Sequence, residues 1–291
     1  MSSDERDLTE LLSEIYNVDR QAENPLTREF LEAGEGLLYK ELTRDAGRPI
    51  ESGGESADSR EWQPFEEVLG WLSRSRVVEE AQRRWTPDAS RRKDRGPTDA
   101  AIRHRWKRHA GYLRDLTIWA LAPRMKRPRQ IGYADEIIDR VRCGEHELPA
   151  AIHDITSEEI RALKEDKAFR LQLAFQATLA HDPRVADALQ RIDAANVNAW
   201  SEFAERSYRK LGLSLRKDMT FTLLGCALHT AGEGAMFRAM LPKRKNHAPP
   251  DPADLLNLIA KALVLASIDT GDGETLDEIL DKFVKRQREV T

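Results

Sequence analysis

Cysteine is scarce in this chain: two residues among 291, Cys143 and Cys226, with no CxxC pair. That excludes a disulfide framework, and with no secretory signal read at the N-terminus the expected compartment is a reducing cytoplasm. Long apolar runs are missing too. Nothing approaches the roughly 18 to 20 residues needed to cross a bilayer, and a mean hydropathy of -0.61 with 33% charged residues argues against a membrane role. There is no HxxxH, HExxH or clustered Cys/His spacing, so no metal site is expected. Sustained period-two alternation and internal repeats are also absent, which leaves an all-α fold. At this length the chain buries a substantial core as one large or two modest domains.

What the chain does have is a divided charge. Its formal net charge is only -4. Between Arg74 and Arg129, however, stand 17 Lys and Arg against 6 Asp and Glu, an excess of 11 that leaves -15 for the remainder. A local excess of this size attracts polyanions, whereas an acidic remainder keeps the molecule off non-specific surfaces. A nucleic acid is one partner that this charge fits. A solvated, salt-bridged surface is the plainer alternative.

Prolines cut the rest into helical pieces, because a proline inside a helix removes a hydrogen bond and clashes with the preceding turn. Asp182-Pro183 offers an N-cap and first helical residue, followed by Leu189, Ile192, Asn196, Trp200, Phe203, Ser207 and Leu211 at helical spacing, with Gly212 as the stop. Thr156 to Glu159 has capping-box spacing, which predicts a helix start ahead of Ile160, Leu163, Leu171, Phe175 and Thr178. From Leu215 to Leu241 the apolar residues occupy several helix faces, so that helix is expected to pack on several sides. Asp251-Pro252 opens a similar one through Leu255, Leu256, Ile259, Leu263 and Leu265. A last amphipathic piece carries Leu276, Ile279, Leu280 and Phe283. In the N-terminal third, Phe30 to Leu42 suits one helix and Phe65 to Leu72 another, with Ala46 to Ser59 and Thr86 to Pro97 as polar breaks.

The chemistry concentrates after Gly96-Pro97. Thr98 is an N-cap candidate, Asp99 favours the positive end of the helix dipole, and Ile102, Trp106, Ala110, Leu113 and Leu116 form an inward stripe. Arg103, His104, Arg105, Lys107 and Arg108 are left on the other faces. A helix fits the DNA major groove, where arginine bonds a guanine edge bidentately and basic side chains neutralise phosphates.

With Thr98, Ile102, Trp106, Tyr112 and Leu113 at those spacings, this segment resembles the recognition helix and following turn of TetR/AcrR-family regulators. The helix from Arg28 to about Leu42 is similar to that family's first helix. Asp182-Pro183-Arg184-Val185 and the stretch containing Gly232-Glu233-Gly234 resemble its regulatory domain. Arg103 and His109 depart from the family pattern. So does the connection Trp85 to Pro97, where a helix-turn-helix has three or four residues.

The resemblance implies an N-terminal helix-turn-helix-like domain over 1–125 and a C-terminal helical regulatory and dimerisation bundle over 126–291. It further implies a non-catalytic, homodimeric transcriptional regulator under possible small-molecule effector control. Phosphate contacts are expected from Arg91, Arg92, Lys93, Arg95, Lys107 and Arg108, base contacts from Arg103, His104 or Arg105, and Thr98 caps the reading helix. By the same resemblance the dimer forms through Leu224, Leu228, Phe237, Leu256, Ile259 and Leu263. Phe169, Phe175, Trp200 and Phe203 are ligand-pocket candidates against ordinary core packing. Gly232 and Gly234 are read as close-packing positions, and the acidic pairs Asp135-Glu136 and Glu158-Glu159 as helix-dipole partners rather than catalysts. No cofactor is expected. The alternative function is an all-α interaction protein whose basic helix docks an acidic protein.

Overall fold

The computed structural model describes residues 8–17, 21–22, 24–42, 69–85, 96–126, 132–240 and 250–282. Among them the fold is all-α, with no strand and a single isolated bridge between Leu215 and Ile268. No helix among the described residues is long and apolar enough to cross a membrane. Arg91, Arg92, Lys93 and Arg95, the segment Ala46 to Ser59, and Phe65, Val68 and Phe283 lie outside the described residues.

The helices are α1 (Leu8–Leu11), α2 (Pro25–Leu42), α3 (Arg74–Arg84), α4 (Asp99–Arg105), α5 (His109–Lys126), α6 (Gly132–Arg142), α7 (Leu148–Glu165), α8 (Lys167–Thr178), α9 (Pro183–Leu211), α10 (Phe221–Ala239) and α11 (Pro252–Ser267). They form two compact units. The first holds Met1–Lys126 and Lys167–Arg191, the second Arg127–Asp166 and Ile192–Thr291. A single cut after residue 125 therefore misses the return of α8 and the first turns of α9 to the first unit.

Local chemistry sets several helix ends. Asp182 Oδ1 accepts from the backbone N–H groups of Arg184 and Val185 at 3.0 and 3.2 Å, and Gly212 takes φ +67° where α9 stops. Asp251 Oδ1 accepts from Ala253 N at 2.8 Å, and Thr220 caps α10 by accepting from Leu223 N at 3.1 Å. The expected start at Thr156 is wrong. The helix there begins at Leu148, behind Pro149, and the Thr156 hydroxyl donates back to Ile152 O at 2.9 Å inside it. Glu158 and Glu159 thus sit mid-helix, so only Asp135, in the first turn of α6, has a helix-start position. The chain also breaks at Asp166, placing Leu171, Phe175 and Thr178 on α8 instead.

In the first unit, α2 packs on α3, α4, α5 and α8, and α5 on α1 and α8. Phe30, Leu31, Leu72, Ile102, Trp106, Tyr112, Leu113 and Leu116 are fully buried there, each worth about 1.5–3 kcal/mol in water exclusion. Gly34 is where α2 passes closest to α5: an added Cβ would fall under 3.0 Å from Tyr112 Oη and 2.8 Å from Leu116 Cδ2. Tyr112 Oη donates to Phe30 O at 2.8 Å, and complete burial pushes its pKa upward.

In the second unit, α11 packs on α7 and α10, and α7 on α6. Trp200 and Phe203 pack with Ile138 and Ile155, and Ala204 and Tyr208 with Leu224. Close approach occurs at Gly225, whose Cβ would meet Ser201 N at 2.7 Å. At Gly232 and Gly234 nothing among the described residues lies within 4 Å of an added Cβ, which corrects their assignment as close-packing positions.

Candidate nucleic-acid interface

The basic stripe is built on a short helix. Thr98 Oγ1 accepts from Ala101 N at 3.1 Å, and α4 ends at Trp106, whose backbone N–H donates to Ile102 O. Three residues later α5 begins. The inward stripe Ile102, Trp106, Ala110, Leu113 and Leu116 is buried throughout, so it spans two helices joined by a turn rather than one.

Behind that turn sits a buried acceptor. Asp115 is fully buried and accepts from Trp106 Nε1 at 3.0 Å, Ser13 N at 3.1 Å, Glu14 N at 3.2 Å and Arg184 Nη1 at 3.4 Å. Arg184 also donates to Leu11 O at 2.9 Å and to Ser13 Oγ, and Arg114 pairs with Glu14 and Asp182 at 2.9 and 2.7 Å. Burial pushes the Asp115 carboxyl above its ordinary pKa, against the hydrogen bonds and Arg184, which pull it down.

Trp106 makes edge-on contacts with Phe30 at 6.5 Å and Tyr112 at 5.1 Å. The turn is therefore locked from inside by an aromatic cluster and one carboxylate.

The expected DNA-facing residues divide. Arg103, His104, Lys107 and Arg108 are exposed, as is the cap Thr98. Arg103 Nε pairs with Asp99 at 2.6 Å across one helical turn, an exchangeable surface pair. Arg105 is different, and its assignment to base contacts is corrected. Only 5% exposed, it spends its fork internally: Nε donates to Thr27 Oγ1 at 3.1 Å, Nη1 to Ala101 O at 2.9 Å and Nη2 to Asn24 Oδ1 at 2.8 Å. Its guanidinium also lies 5.8 Å over the Phe30 ring. It fastens α4 to the start of α2.

One surface residue escaped the sequence reasoning. Tyr16 is half exposed beside α4, its backbone N–H donating to Arg105 O at 2.7 Å, with Lys107 Nζ 4.3 Å over its ring and His104 edge-on at 6.3 Å. Asn17 follows with φ +58°, a left-handed turn that asparagine tolerates. The only local signal was that aromatic–Asn pair in a stretch without helical periodicity.

The long connection between α3 and α4 is held at both ends. Gln82 Nε2 donates to Pro97 O at 2.9 Å, and a Cβ on Gly96 would stand 3.4 Å from the Trp85 indole. Arg84 adds a bond to Glu32 O at 2.8 Å and an ion pair with Glu32 at 2.8 Å, tying α3 to α2. Thus α3 and α4 pack together on α2 without the short turn that such a helix pair ordinarily uses.

The other expected sites fare unevenly. Trp200 and Phe203 line a cavity in the second unit, but Phe169 and Phe175 do not: they are buried core residues of α8, in the first unit, with the Arg124 guanidinium 5.0 Å over Phe169. Of the expected dimer residues, Leu224 and Leu256 are buried within their own unit, and Leu228, Ile259 and Leu263 are half-buried. Phe237 is 58% exposed. It is joined on the outer faces of α10 and α11 by Leu223, Met240, Leu258 and Leu265, the last at 72%. Both cysteines are free and exposed, and no group of His, Cys, Asp and Glu among the described residues is arranged to hold a metal.

Compared with protein-family models, curated proteins and solved structures, the chain matches none of them significantly.

Proposed function

We propose that this protein is a sequence-specific, double-stranded-DNA-binding transcriptional regulator of TetR-like type, acting as a homodimer under effector control. The observation that carries the reading is the short capped helix α4. Its inner face is anchored by Ile102, Trp106 and Arg105, while Arg103, His104, Lys107 and Arg108 stand exposed. A rigidly mounted cationic helix end is what major-groove reading requires, because base contacts discriminate only when register is fixed by the scaffold. Lys107 and Arg108, with Arg91, Arg92, Lys93 and Arg95, supply phosphate contacts; Arg103 and His104 read base edges.

The second copy docks through the outer faces of α10 and α11. Five large apolar side chains exposed on two neighbouring helices form the kind of face that monomers seldom leave in water. Leu258→Glu places a charge at a position 66% exposed, and so leaves the fold intact while making the protein monomeric by sedimentation. A still-dimeric, folded L258E protein contradicts this assignment.

DNA binding is tested by fluorescence anisotropy with a duplex pool at low and moderate salt. The affinity falls steeply with salt, at a slope of about -0.9 for each phosphate contact. Arg108→Ala, which removes one contact from each protomer, flattens that slope by about 2. Absence of binding at low salt rejects the reading, and an acidic protein partner then becomes the explanation for the cationic helix.

A further inference from the structure

The second unit holds a partly open cavity of about 80 Å³ bounded by α6, α7, α9, α10 and α11. Its walls are mostly aliphatic and aromatic, Ile138, Ile155, Trp200, Phe203 and Leu228 among them. Besides Trp200, with its indole N–H, four lining residues carry polar side-chain atoms: Thr156, Glu159, Ser207 and Tyr208. Three are engaged by the protein. The Thr156 hydroxyl donates to Ile152 O, Tyr208 Oη lies 2.6 Å from Ser267 Oγ, and Glu159 Oε2 accepts from Tyr133 Oη at 3.4 Å. Ser207 is the exception. It is only 6% exposed, yet its Oγ has no hydrogen-bond partner.

A serine inside a helix ordinarily returns its hydroxyl to the carbonyl one turn back, as Ser201 does to Val197 O at 2.6 Å. A buried hydroxyl left unmatched costs stability that a bound partner restores.

We infer that this cavity is a binding site for a small neutral molecule with a short aliphatic body and one hydroxyl or carbonyl group, which pairs with Ser207. Among the described residues no Lys, Arg or His lines the cavity, and Glu159 does, so an anion would enter beside a carboxyl group. Size is set by volume. An apolar cavity of about 150 Å³ takes the six carbons of benzene, so one of about 80 Å³ fits a body of about three to four non-hydrogen atoms. The inference deepens the proposed effector control by naming the ligand class. Its measurement needs no DNA, so the two stand or fall separately.

The experiment titrates 1-butanol, 1-chlorobutane and butanoate into the full-length protein with methyl groups of Ile, Leu and Val observed by NMR. The expected result is saturable shifts at Ile138, Ile155 and Leu228 with the first two probes and none with butanoate. Ser207→Ala, which removes one oxygen and no packing volume, weakens 1-butanol by about 3- to 10-fold and leaves 1-chlorobutane unchanged. The inference is overturned if neither neutral probe saturates. It is equally overturned if S207A weakens both alike or neither, or if butanoate binds as well as the alcohol.

Discussion

Replacing Gly34 by alanine sets two effects of opposite sign against each other. In a helix interior the change ordinarily stabilises by about 1 kcal/mol, because alanine loses less backbone entropy. Here the new methyl group would sit under 3.0 Å from Tyr112 Oη and 2.8 Å from Leu116 Cδ2. The leucine end can rotate away. The tyrosine cannot, since its ring is fully buried between Trp106 and His109 and its hydroxyl is bonded to Phe30 O at 2.8 Å. Overpacking of this sort costs about 1–3 kcal/mol, and a displaced buried hydroxyl about 1–3 more. The clash wins, leaving a net destabilisation of about 1–5 kcal/mol.

Urea unfolding followed by tryptophan fluorescence reads it. Tyr112→Phe alone costs about 1 kcal/mol, but in that background the alanine loses its worst neighbour, so its cost falls by at least half. Gly234→Ala is the control: with nothing among the described residues within 4 Å on helix α10, it stabilises by about 0.5–1 kcal/mol. A G34A protein as stable as the parent, or one equally damaged with and without the Tyr112 hydroxyl, refutes the packing described between α2 and α5.

Two further substitutions probe the mounting of α4. Arg105→Ala removes one donor each from Ala101 O, Asn24 Oδ1 and Thr27 Oγ1, although Asn24 Oδ1 keeps the Leu26 N–H at 3.0 Å, and with the lost packing costs about 2–4 kcal/mol. Lysine does not rescue it, lacking the planar fork; an R105A protein with unchanged melting temperature would show that the buried role is wrong. Asp115 adds a pH dependence of definite sign. Because burial raises its pKa above the ordinary 3.8, the folded state holds that proton more tightly than the unfolded one. The group's contribution is fully present below 3.8 and declines as pH rises through the raised value. Asp115→Asn, which cannot titrate, therefore removes a loss of stability with rising pH from the unfolding profile; identical profiles for the two proteins would count against it.

How far the sequence foretold this depends on how local each feature is. The caps at Thr98, Asp182, Thr220 and Asp251 act within three residues, and the first, second and last were readable from side chain and proline alone. Thr156 shows the limit of that signal. The same spacing of a hydroxyl and a carboxylate occurs inside α7, where the hydroxyl bonds backwards. Arg105 was unreadable because its partners Asn24 and Thr27 lie about eighty positions away, and nothing nearby marks it as buried. Phe169 and Phe175 follow the same logic: they share apolar periodicity with Trp200 and Phe203, but the chain returns to the first unit at Lys167. On α10 and α11 the apolarity on several faces was plain, whereas the choice between inward Leu224 and outward Leu223 is made by packing alone.

The most direct measurement of the central claim is selection of bound sequences from a random duplex library by the full-length protein. The account predicts a two-fold symmetric motif, since a homodimer presents two α4 helices, and loss of that motif when Arg103 and His104 are both replaced by alanine. Retention of bound DNA with no sequence in common, or a motif unchanged by those replacements, would contradict it.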